Sequence, residues 1–308
     1  MEASIVVSVL TRALVAGTPL LLGTLGEVLA ERSGVLNLGV EGMMAMGAVT
    51  GFIVTYTTGS PWAGLAAAIL GGALLAAVHA FVSVTLKANQ VVSGLALTML
   101  GLGVSSLAGK PYIGRPLASK MSSLAIPGLS RIPALGEILF SQDVFFYLAI
   151  LLGVLLWFLL SRTRWGIEIR SVGENPAAAE TQGINVSKVR YLCTVIGGAL
   201  AGLAGAHLSL AYSKSWTEGI TGGRGWIVIA LTIFALWRPL RAFAGAFLFG
   251  GIFVLQYLLQ PLGISPSVLS MMPYAATLLV LVLAGLRGDR RKLSAPATLG
   301  DPYIRGER

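Results

Sequence analysis

The chain has 308 residues, of which 55% are hydrophobic, only 11% are charged and 39 are glycine. Its mean hydropathy is +0.81, and an average soluble domain is about 25% charged, so the composition excludes a water-soluble globule and indicates one polytopic helical membrane domain over residues 1–308. The net charge of +9 is read as basic residues retained at the cytoplasmic surface rather than a nucleic-acid footprint, and the single cysteine, Cys193, excludes an internal disulfide or a multi-cysteine metal site.

Apolar runs suited to a hydrocarbon core of about 30 Å lie near 9–29, 36–56, 62–86, 90–109, 143–161, 191–212, 225–237, 242–260 and 268–286. The expected fold is therefore all-α and polytopic, with about nine transmembrane helices. The first run lacks a basic leading region and a small-residue cleavage site, so it is read as a span and not as a cleavable signal. Between 110 and 142 the Pro/Ser/Gly-rich stretch PYIGRPLASKMSSLAIPGLSRIPALGE is expected to form an external loop with partial re-entrant character. The short 225–237 run follows Gly219, Gly222, Gly223 and Gly225. It has the pattern of a half-helix, which a membrane tolerates only where protein or a water-filled cavity surrounds it.

Orientation follows from the basic residues. With the 162–190 loop and the C-terminus in the cytoplasm, 15 of the 22 lysines and arginines fall inside and 7 outside, which places the N-terminus externally. The inside set includes Arg287, Arg290, Arg291, Lys292, Arg305 and Arg308, and the outside set includes Lys120. PWAGLAAAILGGALLAAVHAFV (61–82) echoes RPLRAFAGAFLFGGIFVLQYLL (238–259), with proline first, then small residues, then a Gly-Gly pair. Under this topology the two helices run in opposite directions. That is the pattern of an inverted repeat with halves 9–109 and 191–286 and the fifth span as the crossing between them.

The stretch ERSGVLNLGVEGMM (31–44) sets an ionisable residue, Glu41, a few residues into the second span. A helix starting near Leu36 would put Glu41 on its second turn, close to the cytoplasmic interface, with Asn37 one turn earlier on the same face. Gly39 and Gly42 leave room for another backbone. Two readings stand: a structural clamp with Arg32 or a backbone group as partner, or a lining of the substrate path. Asn89, Gln90, Ser93 and Thr98 at the start of the fourth span either line a polar path or cap the helix. His79 and His207 are expected as packing residues, and Trp216 and Trp226 as interfacial anchors. The glycosylation-like NVS at 185–187 falls on the proposed cytoplasmic side and is discounted.

On that side lies WGIEIRSVGENPAAAETQGINVSKVR (165–190). Asn175 is a good N-cap, Pro176 suits the first helical position, and Gly183 closes the helix. A helix this short is far below the roughly 12–15 residues needed for stability alone. It must lie on the lipid surface or dock into a protein groove, and its small alanine face, without bulky anchors, favours the groove.

R-x-V-G-E-N-P-x-A-A followed by GGALAGLAGA resembles the permease subunits of bacterial ABC importers, in the branch serving ribose, branched-chain amino acids and nucleosides. ERSGVLNLGVEGMM resembles the nucleoside-type members. The likeness covers about residues 12 to 287. It implies a multi-pass protein of the cytoplasmic membrane that forms the substrate path, with a coupling helix seated in a groove of a separate ATPase. Gly173, Glu174, Asn175, Pro176, Ala178, Ala179 and Gly183 match the motif of that helix. Glu174 and Arg170 are positioned to supply rim charge pairs. The resemblance further implies that ATP and Mg²⁺ are bound by the partner ATPase. It also implies a second permease subunit, identical or homologous, and an extracytoplasmic binding protein. The near phosphate-loop match around Gly109-Lys110 has the wrong spacing, with Pro111 where a Ser/Thr belongs, so the chain is not expected to hydrolyse ATP itself. A simple-sugar permease and an ion-coupled transporter using Glu41 are the competing expectations. An intramembrane hydrolase lacks a nucleophile constellation.

Overall fold

The computed structural model describes residues 2–119, 121, 123–286 and 295–305. In order these form α1 (Glu2–Arg32), α2 (Val40–Thr58), α3 (Pro61–Ala80), α4 (Gln90–Gly109), α5 (Leu135–Leu139), α6 (Val144–Arg162) and α7 (Arg164–Glu174). There follow α8 (Pro176–Thr181), α9 (Val186–Ala206), α10 (Arg224–Phe234), α11 (Pro239–Leu259), α12 (Pro266–Ser270) and α13 (Met272–Leu286). Among the described residues, extended pairing is limited to isolated bridges, two of which join the 110–142 loop to residues 215–216. Lys120, Arg287, Arg290, Arg291, Lys292 and Arg308, which enter the orientation argument, lie outside the described residues.

The starts of these helices follow from local chemistry. Ser60 accepts the Ala63 amide ahead of Pro61, Asn89 the Val92 amide, Asp143 the Phe146 amide and Asn185 the Lys188 amide. Each satisfies an amide that the first helical turn leaves unpaired. Asn185 is thus an N-cap, and the NVS triplet needs no other explanation.

Among the described residues, six helical stretches are long and apolar enough to cross a membrane, Ile5–Arg32, Pro61–Thr85, Gln90–Tyr112, Val144–Arg162, Val186–Tyr212 and Pro239–Leu262. The expected spans fall on helices, but α10 is confirmed as short, with 11 residues, and α13 has 15. The second span does not begin near Leu36. Residues 33–39 are irregular, and α2 starts at Val40.

In lipid no hydrophobic force drives helices together, so close packing of small residues must do so. The innermost helix, α9, shows this most clearly. A Cβ on Gly72 of α3 would lie 2.7 Å from the Gly202 backbone of α9, and one on Gly26 of α1 would lie 2.5 Å from the Gly197 carbonyl oxygen. The α11–α1 contact mirrors α3–α9, with a Cβ on Gly250 falling 2.6 Å from the Gly17 amide. Trp216, expected at the membrane interface, is instead 1% exposed and packs near Phe52. Its ring occupies the space where a Cβ of Gly109 would stand. Trp226 is 39% exposed.

Candidate functional site

α10 is held at both ends by the 31–41 stretch. At its N-terminus, Glu41 accepts the Thr221 hydroxyl (2.6 Å) and the Gly223 amide (2.9 Å) on Oε1, and the Gly225 amide (2.5 Å) on Oε2. A helix start exposes unpaired amides carrying partial positive charge, so a buried carboxylate there is in a favourable field. Gly225 is required by the approach, since a Cβ at this position would sit 2.5 Å from Glu41 Cα. At the other end, the Arg32 guanidinium donates to the carbonyls of Trp237 (3.0 Å) and Leu236 (3.4 Å), and the Trp237 indole donates to Glu31. Leu236 and Trp237 both have φ 53°, a left-handed conformation that is rare outside glycine and costs about 1–3 kcal/mol per residue. The arginine and glutamate contacts offset that strain and complement the helix dipole with positive charge at its C-terminal end.

This geometry corrects two expectations. With 11 residues in α10 at about 1.5 Å rise each, Glu41 lies about 16 Å along α10 from the end that Arg32 holds. Its partners are a threonine and two amides, and Arg32 serves the opposite end of the same helix. Asn37 does not share a helical face with Glu41, because it precedes α2. Its amide donates to Glu27 (2.7 Å), and its oxygen accepts the Gly39 amide (3.0 Å).

The irregular 33–39 backbone is satisfied by side chains from other helices. Gln90 Oε1 accepts the Leu36 amide (2.7 Å), while His79 Nε2 lies 3.0 Å from the Leu36 carbonyl and the Thr98 hydroxyl donates to the Leu38 carbonyl (2.8 Å). Ser93 pairs with His79 Nδ1 at 3.0 Å, and Asn89 caps α4. These groups therefore let non-helical backbone persist among the packed helices. His207 Nε2 pairs with Asp143 Oδ2 at 3.1 Å where α6 begins. Burial pushes the Asp143 carboxyl up, but His207 and the Phe146 and Phe145 amides outweigh it and hold the carboxyl below the usual aspartate range.

At the α8 end, Asn175 accepts the Ala178 amide (2.9 Å), and Gly183 takes φ 83°. The coupling motif splits between two faces. Glu174, Asn175, Ala178, Gly183 and Arg170 are exposed, whereas Gly173, Pro176 and Ala179 are buried within the chain. Ala179 is 3% exposed and belongs to the core. Gly173 abuts the Arg32 carbonyl. Arg170 donates to the Gly166 carbonyl (3.1 Å) and lines a cavity of about 620 Å³ with Arg32, Trp157, Trp237, Arg238 and Arg241.

Sequence reasoning missed Glu27, the Arg32–Leu236 and Glu31–Trp237 contacts, and the role of Thr221. The available signals were the Glu27/Glu31 spacing of one helical turn and the threonine inside the glycine-rich 219–225 segment. Residues 9–283 match the family described as branched-chain amino acid transport system / permease component. A Haloferax volcanii protein provisionally named glucose ABC transporter permease protein TsgC13 is 43% identical, over 94% of this chain and 95% of its own. The guanosine ABC transporter permease protein NupQ of Bacillus subtilis is 39% identical, and the nucleoside ABC transporter permease protein NupC of Lactococcus lactis 35%, each over 96% of both chains. A solved ABC transporter in an inward-facing conformation, provisionally of the metal-chelate type, is similar in fold, with TM-score 0.52 and 18% identity over 90% of this chain and 85% of that one.

Proposed function

Since the chain belongs to the permease-component family of branched-chain amino acid transport systems, we propose that it is the membrane-spanning subunit of an ATP-driven importer whose cargo is a nucleoside. The observation that carries the cargo is full-length similarity to two relatives named for guanosine and nucleoside transport. The 43% relative named for glucose keeps a sugar as the second reading. On this proposal a separate ATPase binds ATP and Mg²⁺ and engages the exposed face of α8, a second permease subunit completes the path, and an external binding protein delivers cargo. The N-terminus is external, and the α8 end is cytoplasmic.

The two chain halves are inverted repeats in this reading, supported by the matching α3–α9 and α11–α1 packing. α2 and the short α10 are then corresponding helices of the two halves, and their N-termini meet, as helix ends do at the binding interfaces of transporters. Glu41 bridges those two starts. Rocking of one half against the other changes the access of the central path while Glu41 and Arg32 carry α10 with them.

The cargo is tested by uptake of tritiated guanosine into proteoliposomes holding the permease, its ATPase and its binding protein. Excess unlabelled nucleoside should abolish uptake and excess glucose should leave it intact; the reverse pattern assigns a sugar. Orientation is tested with Ser187→Cys, which is exposed, while the native Cys193 is buried. An impermeant thiol reagent should label it only after the cells are opened, and labelling of intact cells would invert the topology.

A further inference from the structure

Residues 295–305 are the far end of the described chain, yet they lie along α7 and α8. Thr298 donates to the Gly173 carbonyl through its amide (3.0 Å) and its hydroxyl (2.8 Å). The Tyr303 hydroxyl donates to Glu180 of α8 (2.6 Å), and Arg305 lies 3.5 Å from the same carboxylate. On the other side, the Gly300 amide donates to the Gly34 carbonyl (3.3 Å). The Arg190 guanidinium, on a residue 1% exposed, donates to the Asp301 carbonyl (2.9 Å) and the Thr298 hydroxyl (3.3 Å). Gly34 sits inside the 31–41 stretch, between Arg32 and Glu41.

We propose that this tail is a transmission strap, a positioning segment that carries displacement of α8 into residues 31–41 and so to both ends of α10. The proposal rests on the reading of α8 as the ATPase contact. A six-residue helix has no stability of its own, so it moves other parts only through what it is fastened to. Arg305 is 84% exposed, and such an ion pair contributes little. The fastening therefore depends on Thr298, Tyr303 and the buried Arg190. Gly173 against Arg32 is a direct contact between the same two regions, but it is a backbone abutment with no bond to Glu180.

The test uses the full complex of permease, ATPase and binding protein in proteoliposomes, with tritiated guanosine as probe, read as cargo taken up per ATP hydrolysed. A purely structural defect lowers both quantities together and leaves that ratio alone. The double variant Thr298→Val/Tyr303→Phe and a chain ending at residue 294 should still co-purify with the ATPase. Uptake per ATP should fall at least about fivefold, the lower end of ordinary coupling between sites. If the shortened chain fails to fold, the double variant decides. An unchanged ratio overturns the proposal, and so does loss of co-purification, which would make the tail a docking element. Ala178→Arg is the control for the underlying reading: if it keeps both ATPase binding and uptake, α8 is not the contact and the strap fails with it.

Discussion

Glu41→Gln removes charge and one acceptor while keeping size. The native carboxylate receives three hydrogen bonds at a site 3% exposed. Glutamine has one carbonyl oxygen, so its NH₂ must face either the Gly225 amide or the Thr221/Gly223 pair. A buried amide left without an acceptor costs about 1–3 kcal/mol. Losing the negative charge at the start of α10 adds about 0.3–2 kcal/mol. A loss of about 1.3–5 kcal/mol is expected, equivalent to about 8- to 4,000-fold in the equilibrium between docked and undocked α10 at about 1.4 kcal/mol per tenfold. Thermal unfolding in detergent and guanosine uptake in proteoliposomes should both fall well below those of a lipid-facing control such as Leu107→Val, a position 75% exposed. Wild-type melting together with wild-type uptake would refute the clamp.

The opposite end of α10 is tested by Arg32→Gln, which leaves the Leu236 and Trp237 carbonyls without their guanidinium; it should lower the melting temperature and also impair uptake. Ala178→Arg, on the exposed face, should abolish co-purification with the ATPase while the permease still folds. Ala179→Arg, in the core, should instead destabilise the permease itself, seen as early elution or aggregation on a sizing column. The depressed Asp143 carboxyl stabilises the fold above the ordinary aspartate range, and that contribution is lost as pH falls through the lower folded value. Asp143→Asn should therefore melt earlier than wild type at pH 7, with the gap narrowing on acidification below about pH 4.

Features set by neighbouring residues were legible in the sequence. Asn175, Pro176 and Gly183 bound a short helix, Ser60–Pro61 and Asn89 start α3 and α4, and the glycines before 225 announce a short α10. Features set by distant residues were not. The apolar run predicts a helix start near Leu36, but Gln90, His79 and Thr98 from other helices stabilise an irregular backbone there and delay α2 to Val40. That delay puts Glu41 in the first turn of α2, and its Gly225 partner lies 184 positions away in sequence. The alanines of α8 carried no signal of which faced inward, because that depends on how α7 and α9 flank the turn. The tail at 295–305 is short, holds two prolines and has no helical periodicity, so nothing local marks it as packed against Gly173 and Gly34.

The measurement that tests the account most directly is guanosine uptake by the reconstituted permease, ATPase and binding protein under two energy sources. With ATP enclosed on the α8 side and ionophores dissipating every ion gradient, uptake should proceed in wild type and vanish in Ala178→Arg. Uptake that persists without ATP and collapses with the ion gradient would contradict the account and make the protein an ion-coupled transporter.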